Sequence, residues 1–411
     1  MSQALTRLGR LGLRLALDRG DPALVLEWSE RTRAASSRVV PVRPPSDPDQ
    51  AADLAELRTL VAFGTEAARQ QELRRRVRER TWRFGGSHET HPICTLAALQ
   101  EALGRRRTTL VALLACDDTV TALVVSAADA HLQPLGSMAT VAPLLAGLAA
   151  DLDVAATDLP TGMAASVRAG LRERLARLDA ALLTPLGLSA GRVALTPSGQ
   201  FGQVPWPLLP SLAGVGVTVA RSATAWANAP EAPPPRRALL VAGPHLARAT
   251  DEIEACATHW HDPTCLVGPA AGVRNLLRTS RRADIVHVAA HGHHHAQNPL
   301  FSSADLADGP VFGYEVQRLR PVPGVVVFSA CDLGRRTGGD DPLGVATALL
   351  HAGARTVLAS PAALADADAA RLMPDLHARL AAGVPAADAL AASLTAFGPD
   401  APPLVCFGAG W

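Results

Sequence analysis

Six short apolar runs in residues 237–411 leave this chain few folds to choose from. They read ALLVAG, TCLVG, DIVHVAA, GVVVFSA, ARTVLAS and LVCFG. Each is rich in Val, Ile, Leu or Ala, and none alternates apolar with polar residues. Strands of that kind are covered on both faces, which means a mainly parallel sheet with helices on either side. The intervening segments suit those helices: Thr250 to Trp260, Ala271 to Thr279, Pro342 to Ala352, Asp366 to Gly383 and Pro385 to Ala396. An α/β unit therefore spans 237–411, behind the Pro-rich linker APEAPPPRR.

Residues 95–228 read as a second α/β unit. TTLVALLAC and TVTALVVSA flank Asp117-Asp118, a hairpin signal. Helices are expected over Val141 to Leu152 and Ala164 to Leu183, and strands in GRVALTPSG and GVGVTVARS. Residues 1–83 read as helical. Two stretches meet at Gly20-Asp21-Pro22, where Asp21 can cap and Pro22 can open a helix, in the manner of one tetratricopeptide-type hairpin. After the Pro-rich break from Val40 to Asp49, a charged helix is expected from Asp53 to Arg83.

Composition removes several function classes. The net charge is +1, so no global field draws the chain to nucleic acid or an acidic membrane. The basic run QQELRRRVRERTWR reads as a solvated helix face with Glu72 and Glu79 interleaved. No uninterrupted apolar run reaches the roughly 18 residues of a membrane span, and Met1 to Gly20 lacks signal-peptide form. The six cysteines are scattered, as in a reducing cytoplasm, without the close pairs of a disulfide framework or thiolate zinc site.

Sites in open α/β sheets gather beyond the carboxyl ends of strands. DIVHVAA runs into His291-Gly292, and GVVVFSA runs into Cys331-Asp332. If those strands are neighbours, an imidazole stands beside a thiol and can take its proton. Gly292 and Cys331 could then offer backbone N–H groups to an oxyanion. A lone Cys or His at a strand end is commonly a packing residue, so the residues alone leave both readings open. The other five cysteines lie in apolar or helical settings without such a His and read as packing, and His287 reads as a satisfied, semi-buried histidine within its strand. The cluster His291 to His295 admits a third reading, a metallohydrolase. No second His/Asp set matches it, so neither metal nor cofactor is expected. The Gly-rich run DLGRRTGGDDPLG after Cys331 suits either a mobile gate or a plain surface loop. Templates for phosphate-binding loops, nucleophile elbows and dinucleotide folds are missing.

At these residues the sequence resembles the CHAT family, bacterial relatives of caspases and separases often joined to tetratricopeptide repeats. The likeness lies in DIVHVAAHGHHHAQNPLFSSADLADG, GVVVFSACDLG, DDPLGVATALLHAGARTVLAS and, upstream, RVALTPSGQFGQVPWPLLP. It implies a caspase-like, mainly parallel sheet flanked by helices, a degenerate caspase-like N-terminal half over 95–228, and a repeat-derived extension over 1–83. It implies a cysteine endopeptidase with His291 as general base, Cys331 as nucleophile and Gly292 in the oxyanion hole. Asp332 and Asp366 are its candidate substrate-binding residues. Its implied partners are a protein substrate, in some relatives a gasdermin-like pore former in defence and cell death, and a regulatory protein on the N-terminal helices. A catalytically silent scaffold is the alternative, because the Ser-Leu-Trp-x-Val-Asp segment common in the family reads Ser360-Pro361-Ala362-Ala363-Leu364-Ala365-Asp366 here.

Overall fold

The structure is a computed structural model and describes residues 2–37, 48–83, 92–189, 191–231, 233–295, 299–316, 319, 321–331, 333–334 and 345–411. Helices α1 (Ser2–Arg19) and α2 (Pro22–Ser37) form a hairpin. Gly20 ends α1 with a left-handed φ of 68°, and Asp21 Oδ1 accepts from the Ala23 N–H at 2.9 Å to start α2. The single helix expected from Asp53 to Arg83 is instead two, α3 (Pro48–Ala62) and α4 (Ala67–Arg83). The chain reverses between them because Gly64 and Glu66 take φ of 63° and 53°. Strong helix formers precede Phe63 and resume at Glu66-Ala67-Ala68, which masks the short turn between them. The arginines of α4 bridge carboxylates of this hairpin: Arg75 pairs with Glu72 and Glu79, and Arg76 and Arg80 reach Asp53.

After α5 (Leu96–Arg106) comes an antiparallel meander of β1 (Thr108–Cys116), β2 (Thr119–Val125) and β3 (Ala130–Ser137). Asp117, at φ 52°, turns β1 into β2. β3 carries Pro134 and Gly136 and is half exposed, so no apolar run announced it. The helix expected from Val141 to Leu152 divides at Gly147 (φ 77°) into α6 (Met138–Leu145) and α7 (Leu148–Ala155). Their Val141, Leu144, Leu148 and Leu152 are buried. Each helix has 8 residues, too few to cross a bilayer. Then follow α8 (Thr161–Leu182), β4 (Arg192–Leu195), β5 (Val217–Val219) and α9 (Ala223–Ala227).

The C-terminal half alternates strand and helix: β6 (Ala238–Ala242), α10 (Ala249–Ala257), β7 (Thr264–Leu266), α11 (Val273–Thr279) and β8 (Ile285–Ala289). A small separate sheet follows, of β9 (Gly292–His293), β10 (Ser303–Leu306) and β11 (Gly309–Phe312). The chain ends with α12 (Gly313–Val316), β12 (Val325–Ser329), α13 (Val345–Ala352), β13 (Thr356–Ala359), α14 (Asp366–Ala381), α15 (Ala386–Phe397) and β14 (Val405–Gly408).

Among the described residues one sheet of eleven strands has the order β3-β2-β1-β4-β5-β14-β13-β12-β8-β6-β7. The six apolar runs occupy its last six places. β13, β12, β8, β6 and β7 are mutually parallel, and β14 runs antiparallel to β13 and parallel to β5. Phe407 opposite Val219 joins the two halves. Alternate residues of the buried strands face opposite layers. Leu240, Val327 and Leu358 pack under α10, α14 and α15 with Ile253, Leu376 and Leu390. Val241, Val286, Val326 and Val357 pack on the other face with Leu276 and Leu349. Each such side chain contributes about 1.5–3 kcal/mol on burial.

One buried group gives the fold a pH dependence. His351 on α13 accepts at Nδ1 from the Arg221 guanidinium, 2.9 Å away. Burial first, and the arginine second, hold its pKa down to about 3. The folded value lies below the unfolded one. Its stabilisation is therefore complete above the ordinary imidazole pKa of about 6.5 and declines as pH falls from there. Stability from urea unfolding should fall from pH 7 to pH 5, and His351→Asn should flatten the slope by up to about 1.4 kcal/mol per pH unit, the limit reached near pH 5. An unchanged slope would mean that the imidazole is not held neutral.

Candidate active site

β8 and β12 are adjacent and parallel, with Ala289 opposite Ser329. The Ala290 N–H donates to the Ser329 carbonyl at 3.2 Å, which carries the pairing one residue further. Two residues beyond the last register pair stand His291 and Cys331, at the same height on the carboxyl edge of the sheet. Both are half-buried. The chains touch here: a Cβ on Gly292 would lie 2.0 Å from the Cys331 carbonyl oxygen and 3.1 Å from its amide nitrogen. Only glycine allows so close an approach.

The His291 ring is oriented from the neighbouring strand. Its Nε2 donates to the carbonyl of His245, 2.9 Å away and just past β6. A carbonyl only accepts, so the proton of the neutral ring is on Nε2 and the basic lone pair is on Nδ1. His245 presents that carbonyl from a left-handed conformation, φ 61°, which costs a non-glycine residue roughly 1–2 kcal/mol. On the other side, the Asp305 N–H donates to the His291 carbonyl at 2.9 Å, which fastens β10 to the site. Because His245 acts through its backbone, His245→Gly should keep activity within about threefold and stabilise the fold by roughly 1 kcal/mol. Melting curves and turnover numbers would check this, and a collapse of activity would assign the imidazole a role.

Cys331 is met by the loop that follows β13. The Leu364 N–H donates to Sγ at 3.3 Å. That loop is braced on both sides: Asp153 Oδ1 on α7 accepts from the Ala363 N–H at 2.8 Å, and the Ser360 carbonyl accepts from the Gly334 N–H at 2.8 Å. Asp366 Oδ2 accepts from the Arg248 N–H at 2.9 Å, tying the start of α14 to the loop after β6, while its Oδ1 is buried without a hydrogen bond. Ala363 and Ala365, flanking Leu364, line a mostly apolar cavity of about 650 Å³ reached also by Leu175, Leu212 and Leu394. Asp332 and the Gly-rich loop at 335–344 lie outside the described residues, as do Ala296 to Asn298 of the upstream motif.

The neighbouring histidines diverge. His293 Nε2 pairs with Asp305 Oδ2 at 2.8 Å, and the His295 ring lies against Phe301. Other expectations need correcting. Cys265 is exposed, and Cys116 is partly so. Cys256 is buried, as a packing residue is, but it lies beside His287 and His377. His287 is fully buried, and its Nε2 is 3.1 Å from Glu252 Oε1 without the alignment of a hydrogen bond. Sequence spacing could not reveal this group, because its members come from α10, β8 and α14. The brace from His245 was equally hidden, since a backbone carbonyl has no side-chain signature.

A mixed sheet with His and Cys at the ends of adjacent parallel strands defines the caspase-like class of α/β folds. The fold is similar to that of two crystal structures of the Saccharomyces cerevisiae separase–securin complex, with TM-scores of 0.59 and sequence identities of 9% and 10%. Each match covers 99% of this chain and 37% of the separase chain, so this chain spans a little over a third of that length. The chain belongs to the CHAT domain family, which it matches over residues 172–401, more than half its length. No curated protein sequence matches it significantly.

Proposed function

We propose that this chain is a cysteine endopeptidase in which Cys331 is the nucleophile and His291 the general base. The supporting observation is the shared height of the two residues on adjacent strands, with Gly292 against the Cys331 backbone. His291 Nδ1 takes the thiol proton, and the sulfur forms a bond to the carbonyl carbon of the substrate. The oxyanion so formed is met by the Gly292 and Cys331 N–H groups. When the C–N bond breaks, His291 returns the proton to the leaving amine. The same base then activates water, which hydrolyses the thioester and frees Cys331.

The substrate is a protein segment extended across the sheet edge, with the braced loop at 361–365 as one wall of its cleft. Asp366 supports this wall through Arg248. In a cytoplasmic defence role, a gasdermin-like protein is the first substrate to test. Regulation enters through the N-terminal helices. Arg58 on α3 forms an ion pair with Glu315 and donates to the Pro310 carbonyl at 3.1 Å. It thereby holds the small sheet whose first strand begins next to His291. A protein bound to α1–α4 can act on the base along this path.

A thiol-directed probe tests the reading before any substrate is known. Wild-type Cys331 should react at neutral pH far faster than the other cysteines, and His291→Ala should slow it about 10²–10⁴-fold. Equal labelling in both proteins would favour a silent scaffold.

A further inference from the structure

Beneath the catalytic edge, on the face of the sheet covered by α10 and α14, four side chains with metal-binding atoms meet in the core. Glu252 and Cys256 stand one turn apart on α10, His287 is at the centre of β8, and His377 is on α14. None is more than 1% exposed. Donor atoms of Cys256, His287 and His377 lie within 4.8 Å of one another, and Glu252 Oε1 is 3.1 Å from His287 Nε2. The two imidazoles stack with centroids 4.8 Å apart. Both ring nitrogens of His287, Nε2 of His377 and both carboxylate oxygens of Glu252 lack a hydrogen bond of ordinary geometry. Buried polar atoms without partners are rare, and so many in one place call for a shared one.

We propose that Cys256, His287 and His377 bind a zinc ion, with Glu252 as the carboxylate that orients His287 and balances the charge. The donor set suits this ion, which accepts thiolate and imidazole together. One thiolate and one carboxylate cancel the two positive charges, and a dry core tolerates a neutral site far better than a lone charge. Both imidazoles would ligate as neutral rings, through nitrogens that lack a hydrogen bond. When the ion enters, the Cys256 thiol and the Glu252 carboxyl both give up their protons to solvent. A carboxylate on the outer nitrogen of a ligating histidine is the usual second support of such sites.

Trp260 reports on the event. Its indole N–H donates to His377 Nδ1 at 2.9 Å, so the neutral ring carries its own proton on Nε2. Coordination through Nε2 moves that proton to Nδ1 and frees the indole. The ion then pins α10 and α14 onto β8, the strand that leads to His291. Its role is structural, and it takes no part in the chemistry at Cys331.

The test uses the full chain. Protein purified without chelator should hold a zinc ion per chain. After stripping and addition of Co²⁺, it should show a thiolate-to-cobalt absorption. That band should persist in Cys331→Ser and disappear in Cys256→Ser, while Glu252→Gln should weaken zinc about 10–100-fold. Zinc should also change the indole emission of wild type but not of Trp260→Phe. A wild-type chain that binds no zinc and gives no thiolate–cobalt band overturns the proposal, as does a band that survives Cys256→Ser. The first of these readings uses the unaltered sequence, so a variant that fails to fold cannot mask it.

Discussion

Cys331→Ala should abolish cleavage of the cognate substrate, lowering kcat by at least about 10⁴-fold while leaving the fold unchanged. In the proposed mechanism the sulfur bonds to the substrate, and no other described cysteine stands at the carboxyl edge beside β8. Its deletion removes a half-buried side chain whose sulfur meets the Leu364 N–H and the Leu364 carbonyl. Melting temperature should therefore move little. His291→Ala should cost nearly as much, and the double variant no more than either single one, because the two act as a unit. Fluorogenic peptide or substrate-protein cleavage with matched melting curves measures this. Activity in Cys331→Ala within tenfold of wild type would remove the thiol from the mechanism.

Gly292→Ala should be nearly as damaging for a different reason. The added methyl would lie 2.0 Å from the Cys331 carbonyl oxygen. That neighbour is backbone, held between the β8 pairing and the loop after β13, and it cannot turn aside as a side-chain tip could. The two loops must separate, at a cost of roughly 1–3 kcal/mol or more. Both proposed oxyanion donors move with them, which should lower kcat about 10²–10³-fold with a smaller change in KM. Gly324→Ala is a suitable control, since its nearest contact would be an ordinary 3.8 Å. If Gly292→Ala cleaves at the wild-type rate, the two backbones do not make this close approach.

Much of the fold was legible because fully covered strands leave an unmistakable trace. All six apolar runs are strands, and they are consecutive in the sheet. Where burial is partial, the trace fades. β3 and the three strands of the small sheet mix polar, Pro and Gly residues, and no period in the sequence marks them. Helix breaks were missed at Gly64 and Gly147, where left-handed residues, Gly64 with Glu66 in the first case and Gly147 in the second, interrupt stretches that otherwise suit one helix. The places of His291 and Cys331 were readable because each follows directly on a strand. Their support was not, since it comes from backbone groups at His245 and Leu364. The buried group around His287 was the least accessible, because it depends on which helix packs over which strand.

The pairing of β14 with β5 has a consequence for dissecting the chain. Residues 405–408 occupy the middle of the sheet, between β13 and β5, although β5 lies far from them in sequence. Without this segment, the halves carrying β5 and β13 lack their common neighbour. A fragment cut before β14 should therefore present two unpaired strand edges and lose the platform beneath His291 and Cys331.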